Sequence, residues 1–269
     1  MAQYCQSDFD FASAKELPLS SGAPTITQDG YSFQFIVTRD GSPSIRMWNV
    51  SDCAQEMKSP EAMHHCDGAL SESLYIYGSL LEEPFLRDRE LKILSVGLGC
   101  GYNEWIALAK IKNTRSNVYV ESFESNSFLR KNFTNWLIKN DDSSVAGLFS
   151  DVVARVAEHF KMREQELKDL GRELYNNNRW QIRERLDSTA QFQQKFNVIF
   201  FDAFSTKATP ELWNDEFLDW LLASAADDPC GFATYAATGR LNRALKRAHF
   251  KLVPFRGFSG KRESTRAYR

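Results

Sequence analysis

The sequence has few of the features that mark secreted, membrane or cysteine-ligated metal proteins. Its 269 residues include five cysteines, an odd number without C-x-x-C spacing, so neither a disulfide framework nor a cysteine-rich zinc site is expected. No apolar run approaches the roughly 18–20 residues of a membrane span, and the polar start MAQYCQSDFDF does not resemble a secretory leader. These absences predict a cytoplasmic protein with no membrane contact.

An excess of charge of one sign is absent overall but present locally. The formal net charge is −2, yet ten basic residues against the single acid Glu263 lie between Arg240 and the end of the chain. Clustered Lys and Arg attract phosphates whatever the total charge, so this region predicts a surface for a polyanion. A solvated helix face that binds nothing is the alternative.

The composition supports a folded core. Hydrophobic residues make up 43% and aromatic residues 13% of the chain, which excludes wholesale disorder.

Residues 1–23 lack periodicity and predict a loose leader. In residues 24–88, short β-like runs around Asp29-Gly30 and Asp40-Gly41 predict hairpins, followed by a helix near residues 68–81.

From residue 89 to residue 269, apolar strands alternate with helical segments. The first four predicted strands are LKILSV (91–96), VYVESFE (118–124), RWQIRERLD (179–187) and FNVIFFDAF (196–204). This order predicts an α/β fold with a mostly parallel doubly wound sheet, closed by an antiparallel edge near STRAYR. Between residues 152 and 174, apolar residues recur at every third or fourth position except at Arg163, which predicts one long amphipathic helix or two shorter ones. This segment belongs to a predicted central helical insert of about residues 140–178.

Three glycines, Gly97, Gly99 and Gly101, lie between the first of these strands and the next helix. A dinucleotide fingerprint requires glycine at position 102, which is Tyr102, and the Gly-Lys-Ser/Thr of a P-loop is absent. The spacing G-x-G-x-G is typical of Rossmann-like methyltransferases that bind S-adenosylmethionine (SAM), because glycine lets the backbone approach the ligand closely. A tight turn without a ligand is the alternative.

Acidic residues follow three of the predicted strands. Glu124 ends the second strand, where a carboxylate accepts hydrogen bonds from two ribose hydroxyls, and Asp187 after the third is a candidate for the adenine amino group. Asp202 ends the most apolar strand and is a candidate to hold the methionine ammonium or to orient an acceptor amine. Phe204 and Trp213 either border this edge or, as is commoner for aromatic residues, fill the core.

Four segments in order resemble the methyltransferase domain of the MnmC family, which completes 5-methylaminomethyl-2-thiouridine at the tRNA wobble position. SVGLGCGYNEW resembles its glycine motif, and FFDAFSTKATPELWNDEF is similar to its D-[AG]-F-[SA]-P-x-x-x-P-x-[LM]-W segment. MHHCDGALSESLYIY resembles its H-S-x-x-G-A-x-x-E-[ST]-x-Y-V-F stretch, and TYAATGRLNRALKRAHFKLVPFRGFSGKRE resembles its C-terminal motifs. Together these segments cover about residues 24–269.

The resemblance implies a Rossmann-like class I SAM methyltransferase with an N-terminal β-hairpin extension, which methylates the amine of 5-aminomethyl-(2-thio)uridine in tRNA. The residues it implies for the cofactor are Gly97, Gly99, Gly101, Asn103 and Glu124, with Ser95 where the family usually has a Glu that meets the cofactor's ammonium. It places Asp202 beside the methyl-transfer centre. The candidates for contact with substrate or RNA are Glu72, Tyr75, Phe204, Arg240, Lys261 and Arg262.

Departures from the family pattern leave alternatives open. Besides Ser95, Thr206 replaces the usual Pro, and the helical insert is longer than expected. The resemblance includes no FAD-binding oxidase half, so removal of a carboxymethyl group would belong to a separate FAD-dependent oxidase or be unnecessary. The alternatives are SAM-dependent methylation of a small amine or a protein, and an inactive binding module, which Ser95 motivates.

His64 and His65 beside Cys66 suggest a metal site, but no second ligand pair has suitable spacing. Methyl transfer also needs no metal. The expectation is therefore that these histidines are structural and that no metal is bound.

Overall fold

The computed structural model describes residues 25–51, 61–87, 89–112, 117–139 and 144–269, so the predicted leader lies outside the described residues. The strands are β1 Thr25–Gln28, β2 Tyr31–Val37, β3 Pro43–Asn49, β4 Glu61–Ala62, β5 Leu91–Val96, β6 Val118–Phe123, β7 Trp180–Arg183, β8 Phe196–Phe201, β9 Ala226–Thr234, β10 Lys251–Val253 and β11 Thr265–Tyr268. The α-helices are α1 Ala69–Ile76, α2 Tyr102–Lys112, α3 Ser127–Lys139, α4 Ser144–His159, α5 Glu164–Asn176, α6 Asp215–Ala225 and α7 Gly239–Arg247.

Strands β1 to β4 form an antiparallel sheet in sequence order, as the turn dipeptides predict. Gln28 pairs with Tyr31, which leaves Asp29 and Gly30 as a two-residue loop, and their φ angles are 53° and 80°. Positive φ at both loop positions is what a tight hairpin with the right-handed strand twist requires, and Asp-Gly tolerates it. Phe33 of this sheet is fully buried in the same apolar cluster as the helices of the main domain.

The main sheet has seven strands in the order β10-β11-β9-β8-β5-β6-β7. Strands β5 to β9 pair in parallel, whereas β11 is antiparallel to both β9 and β10. All six residues of β8 are buried, because helices cover both faces of the sheet and an apolar run satisfies both. The predicted mostly parallel, doubly wound sheet is confirmed. The antiparallel strand β11 does not form the edge as predicted, because β10 pairs with its outer side and is itself the edge strand. The strand order reverses at β5, which places the crossover crevice beside that strand.

The charged segment before β7 forms two helices, α4 and α5, and Arg163 is the extended residue that directly precedes α5. This explains why Arg163 breaks the apolar periodicity. The helix α3 is not among the predicted elements, although Leu129, Phe133, Trp136 and Leu137 form a buried face at helical spacing. A Cβ on Gly171 of α5 would meet the Trp105 ring at 2.5 Å, so this helix packs tightly against α2. The division into a 24–88 extension, an 89–269 core and an insert over about 140–178 stays a prediction.

Among the described residues, no helix combines the length and the apolar character that a membrane crossing requires.

Candidate active site

A cavity of about 370 Å³ lies where the carboxyl ends of β5, β6 and β8 meet the strand β4 and the helix α1. This is the crevice in which open parallel sheets bind ligands. Residues predicted for the site and found in its lining are Glu72, Gly97, Gly99, Asn103, Glu124, Asp202, Phe204 and Lys261. The topology brings them together because each follows a strand end or belongs to an element packed against one.

The glycine turn after β5 makes close contact with the loop after β8. Gly97, Gly99 and Gly101 have φ angles of 94°, 51° and 85°, a region that favours glycine. A Cβ on Gly97 would collide with the backbone carbonyl oxygen of Asp202, so only glycine lets the two strand ends approach each other. Gly101 packs against Phe133 and does not line the cavity.

Asp202 is held by two donors. Its Oδ1 accepts a hydrogen bond of 2.6 Å from the Tyr77 hydroxyl, and its Oδ2 accepts one of 2.8 Å from Asn103 Nδ2. Burial raises the pKa of Asp202 to about 7, although the hydrogen bonds from Tyr77 and Asn103 oppose that rise. A carboxylate with such a pKa exchanges a proton readily near neutral pH, which suits an acid–base role.

Glu124 supports the glycine turn and also offers acceptors to the cavity. Its Oε2 accepts the Gly99 N–H at 2.9 Å and its Oε1 accepts the Asn126 N–H at 2.8 Å. Burial raises the pKa of Glu124, and these backbone donors oppose that rise. Each carboxylate oxygen keeps a second lone pair for a ligand hydroxyl.

The polar groups of the cavity fit SAM. Asn103 Oδ1 is buried and has no hydrogen-bond partner among the described residues, so an acceptor stands free beside Asp202. An ammonium group satisfies such acceptors, and a ribose satisfies the lone pairs of Glu124. A Cβ on Gly99 would come within 3.3 Å of Met63 Sδ, so glycine here also keeps the turn open between Met63 and Glu124. SAM would therefore be held by Glu124, Asn103 and the Gly97–Gly99 turn.

The other end of the cavity carries a carboxylate, an ammonium and aromatic rings. Glu72 Oε2 accepts the His65 N–H at 2.7 Å, and Glu72 Oε1 lies 3.3 Å from Lys261 Nζ. Lys261 Nζ also lies 5.3 Å from the centre of the Tyr235 ring. The Tyr235 hydroxyl donates to the Ala203 carbonyl at 3.0 Å. A small amine entering here meets carboxylates, one cation and ring faces.

Several predicted site residues lie outside the cavity lining. Asp187 is exposed and its Oδ1 accepts the Thr189 N–H at 2.9 Å, which caps a turn, while Arg185 and Leu186 of the same loop line the cavity. Ser95 is fully buried within β5. The remaining residues outside the lining are Tyr75, Gly101, Arg240 and Arg262.

Several arginines of the basic C-terminal region have partners within the protein. On α7, Arg247 pairs with Asp215 at 3.1 Å and with Asp219 at 2.8 Å, and Arg240 pairs with Asp215 at 3.4 Å. Arg269 donates to the carbonyls of Ala226 and Asp227 and so anchors the chain end. These arginines have internal partners. For Arg240 and Arg247 on α7, this agrees with the alternative in which the basic residues form a solvated helix face that binds no polyanion.

The sequence gives no sign of some residues in the lining. Nothing in the sequence pairs Tyr77 with Asp202, because the two residues are 125 positions apart. The same is true of Met63 and Tyr235, which directly follow β4 and β9 and line the cavity.

The histidine pair divides into a buried and a partly exposed residue. Burial lowers the pKa of His64 to about 4, and its Nδ1 lies 2.8 Å from Ser44 Oγ, which agrees with a neutral, structural residue. Donor atoms of His65, Cys66 and Asp67 lie within 4.8 Å of one another, although Asp67 is already paired with Arg39 at 2.5 Å. That the site binds no metal stays a prediction.

Comparison with known proteins agrees with this geometry. Residues 150–269 match the family model of S-adenosyl-L-methionine-dependent methyltransferases. The chain is 25% identical over 224 residues to the tRNA 5-methylaminomethyl-2-thiouridine biosynthesis bifunctional protein MnmC of Campylobacter hominis, covering 82% of this chain and 30% of that protein. The MnmC protein of Burkholderia mallei is 24% identical over 208 residues, covering 74% of this chain and 31% of that protein.

Among solved structures, the fold resembles the crystal structure of MnmC2 from Aquifex aeolicus. The TM-score is 0.58 at 21% sequence identity, and the match covers 87% of this chain and 70% of that chain. The chain spans about a third of the length of the curated relatives it matches. The predicted Rossmann-like fold is confirmed, and so is the resemblance to the methyltransferase domain of MnmC.

Proposed function

We propose that this chain is a cytoplasmic SAM-dependent methyltransferase that methylates the amine of 5-aminomethyl-(2-thio)uridine at the wobble position of tRNA. The observation that carries the proposal is the shared cavity of the glycine turn, Glu124 and Asp202, with Glu72 and Lys261 at its other end. The relatives named for the biosynthesis of this nucleoside match most of the chain and support the same acceptor.

The reaction needs alignment more than chemical assistance. SAM, when bound, supplies a sulfonium methyl group: the amine lone pair forms the N–C bond, the C–S electron pair stays on sulfur, and the amine nitrogen releases a proton. Asp202 is the group placed to take up that proton, because its pKa of about 7 leaves much of it ionised at neutral pH. Tyr77 and Asn103 fix its two oxygens, so the carboxylate keeps one orientation.

The acceptor amine must be neutral to offer its lone pair. Carboxylates alone would hold an amine in its protonated form, since opposite charge favours the ion. Lys261 counteracts this effect, because its ammonium pairs with Glu72 at 3.3 Å and disfavours a second positive charge at the same end of the cavity. Glu72, Lys261 and Asp202 together would bind the amine while keeping it reactive.

A separate FAD-dependent oxidase is part of the proposal where the wobble uridine arrives with a carboxymethylaminomethyl group. The curated relatives are named bifunctional, which supports a coupling between two activities. The amine acceptor would then be the product of an oxidative cleavage that this cavity does not itself perform.

A second candidate is SAM-dependent methylation of a small amine or a protein. It is favoured by the pairing of Arg240 and Arg247 with Asp215 and Asp219, which reduces the free positive charge available to a polyanion. Neutralisation of Arg262, which lies outside the cavity lining, separates the candidates, because it would weaken methylation of tRNA and leave methylation of a small acceptor largely intact.

The test is a methylation assay with methyl-labelled SAM against three pools: tRNA carrying 5-aminomethyl-2-thiouridine, small amines and total protein. Label in the wobble nucleoside is expected. Label only in another pool supports the second candidate, and no label with no SAM binding by calorimetry supports an inactive module. The control is Asp202→Asn, which should keep SAM affinity through Glu124 and lose turnover.

A further inference from the structure

A stack of side chains stands beside the cavity without a role in it. The Tyr75 ring lies parallel to Phe255, with centroids 4.9 Å apart and 17° between the planes. The Arg266 guanidinium lies 3.9 Å from the Phe255 ring centre on the same stack, and its NH2 donates to the Ile76 carbonyl at 2.9 Å. The Tyr75 hydroxyl donates to the Arg256 carbonyl at 2.9 Å. The Tyr75 ring is therefore fixed in place before any ligand arrives.

This fixed ring is also open to solvent. Tyr75 is 37% exposed, and in the described ranges it is the one Phe, Trp or Tyr in the exposed class. A rigid, exposed aromatic ring offers a surface on which a flat ligand can stack.

The stack is continuous with the wall of the cavity. Tyr75 lies three positions after Glu72 on α1, and residues at this spacing are neighbours on one helix surface. The Phe258 ring lies 6.1 Å from Tyr75 and 5.8 Å from His65, which lines the cavity. A molecule whose reactive group reaches Glu72 and Lys261 thus has its next flat group within reach of Tyr75.

Two exposed arginines lie near Lys261 in the sequence. Arg256 and Arg262 are exposed, and neither forms an ion pair with another residue in the described part of the chain. They are close in sequence to Lys261, whose ammonium lies in the cavity. The acids near these arginines include Glu263, which is exposed, and Asp67, which accepts a hydrogen bond from the Ser259 hydroxyl. Aromatic faces interleaved with free arginines suit single-stranded RNA, in which bases stack and phosphates meet cations.

We propose that the exposed face of Tyr75 is a stacking site for an unpaired nucleobase of the RNA whose modified nucleotide enters the cavity. This inference rests on the proposed function and adds a second contact to it. Stacking on a fixed ring is indifferent to base identity, so the site contributes RNA affinity rather than sequence choice. A peptide acceptor lacks such a base and gains nothing from this ring.

The experiment uses the whole chain and an anticodon stem-loop RNA carrying 5-aminomethyl-2-thiouridine. Tyr75→Ala is expected to raise KM for the stem-loop roughly tenfold and to leave kcat and SAM affinity near the wild-type values. Tyr75→Phe keeps the ring and should remain close to wild type. Ile138→Ala on α3 is the matched control, because Ile138 is similarly exposed at 39% and lies outside the stack.

A second arm of the experiment changes the RNA instead of the protein. The same stem-loop with an abasic nucleotide beside the wobble position should lose a similar factor with the wild-type enzyme. Combined with Tyr75→Ala, the abasic RNA should lose nothing further, because both changes remove one contact. Full additivity of the two losses, or an unchanged KM in Tyr75→Ala, would overturn the stacking site. Wild-type turnover on the intact stem-loop tests the proposed function separately, since no stacking variant enters that measurement.

Discussion

The Tyr77 hydroxyl donates a hydrogen bond of 2.6 Å to Asp202 Oδ1, and the two residues come from α1's C-terminal end and from the loop after β8. The Tyr77 ring is fully enclosed and meets Phe200 of β8 edge-on at 5.5 Å. Tyr77 therefore contributes directly to the state of the carboxylate at the end of the central strand, and both residues line the same cavity.

Replacing Tyr77 by Phe is expected to lower kcat by roughly tenfold, as loss of a hydrogen bond to a charged group does. The ring and its contact with Phe200 remain, so the protein should still fold. Tyr235→Phe is the matched control, because its hydroxyl lies at the same cavity but donates to the Ala203 carbonyl. Equal losses of kcat in the two variants would contradict a specific role for Tyr77. Steady-state kinetics with saturating SAM measures both.

Activity should fall as the pH is lowered through about 7. The pKa of Asp202 is raised to about 7 by burial, so the carboxylate that accepts the proton is lost below that pH and present above it. Tyr77→Phe should move this acid limb of kcat/KM to higher pH, because the hydrogen bond from Tyr77 lowers the Asp202 pKa. An acid limb that stays at the same pH in Tyr77→Phe would assign it to the acceptor amine instead.

How much of this arrangement the sequence could predict depends on whether each residue acts locally. Gly97, Gly99, Glu124 and Asp202 follow strand ends, and a parallel sheet brings its carboxyl edges together, so their meeting follows from topology. Tyr77 belongs to another part of the chain, and its contact with Asp202 depends on how α1 docks. No local pattern encodes that docking.

Asp187 and Arg240 have partners within the protein that the local sequence pattern does not show. A loop Asp after a strand has the position of an adenine contact, yet the nearest donors belong to Thr189 and the carboxylate caps its own turn. Arg240 contributes to an apparent basic surface, but Asp215 one helix earlier neutralises it. Charge counted along the chain does not show which charges meet in space.

Glu124→Ala is expected to weaken SAM binding by about 1.5–3 kcal/mol, the range for lost hydrogen bonds to a charged group. The substitution also frees the N–H groups of Gly99 and Asn126, so part of the loss would come from a looser glycine turn. Glu124→Gln separates the two contributions, because the amide keeps one acceptor for the turn. Calorimetric titration with SAM measures the affinity, and an unchanged value in both variants would remove Glu124 from the site.

Glu104 gives a prediction about stability that is independent of the substrate. Its side chain is fully buried on α2, where Oε1 accepts a hydrogen bond of 2.8 Å from Ser122 Oγ. Burial raises its pKa from the ordinary 4.5 to about 7. The folded protein therefore keeps a proton that the unfolded chain releases, and the free energy of unfolding falls as the pH rises from about 4.5 through 7.

Glu104→Gln should remove this pH dependence, since the amide is neutral at every pH and has nearly the same shape. The variant is expected to match the wild type near pH 4.5 and to be more stable at pH 8, by at most about 3 kcal/mol. Urea unfolding at the two pH values measures the difference, and Glu82→Gln, a substitution at a surface carboxylate that pairs with Lys110, is the control. A stability gain that is equal at both pH values would mean that Glu104 does not titrate between them, because only a change in proton binding makes the difference depend on pH.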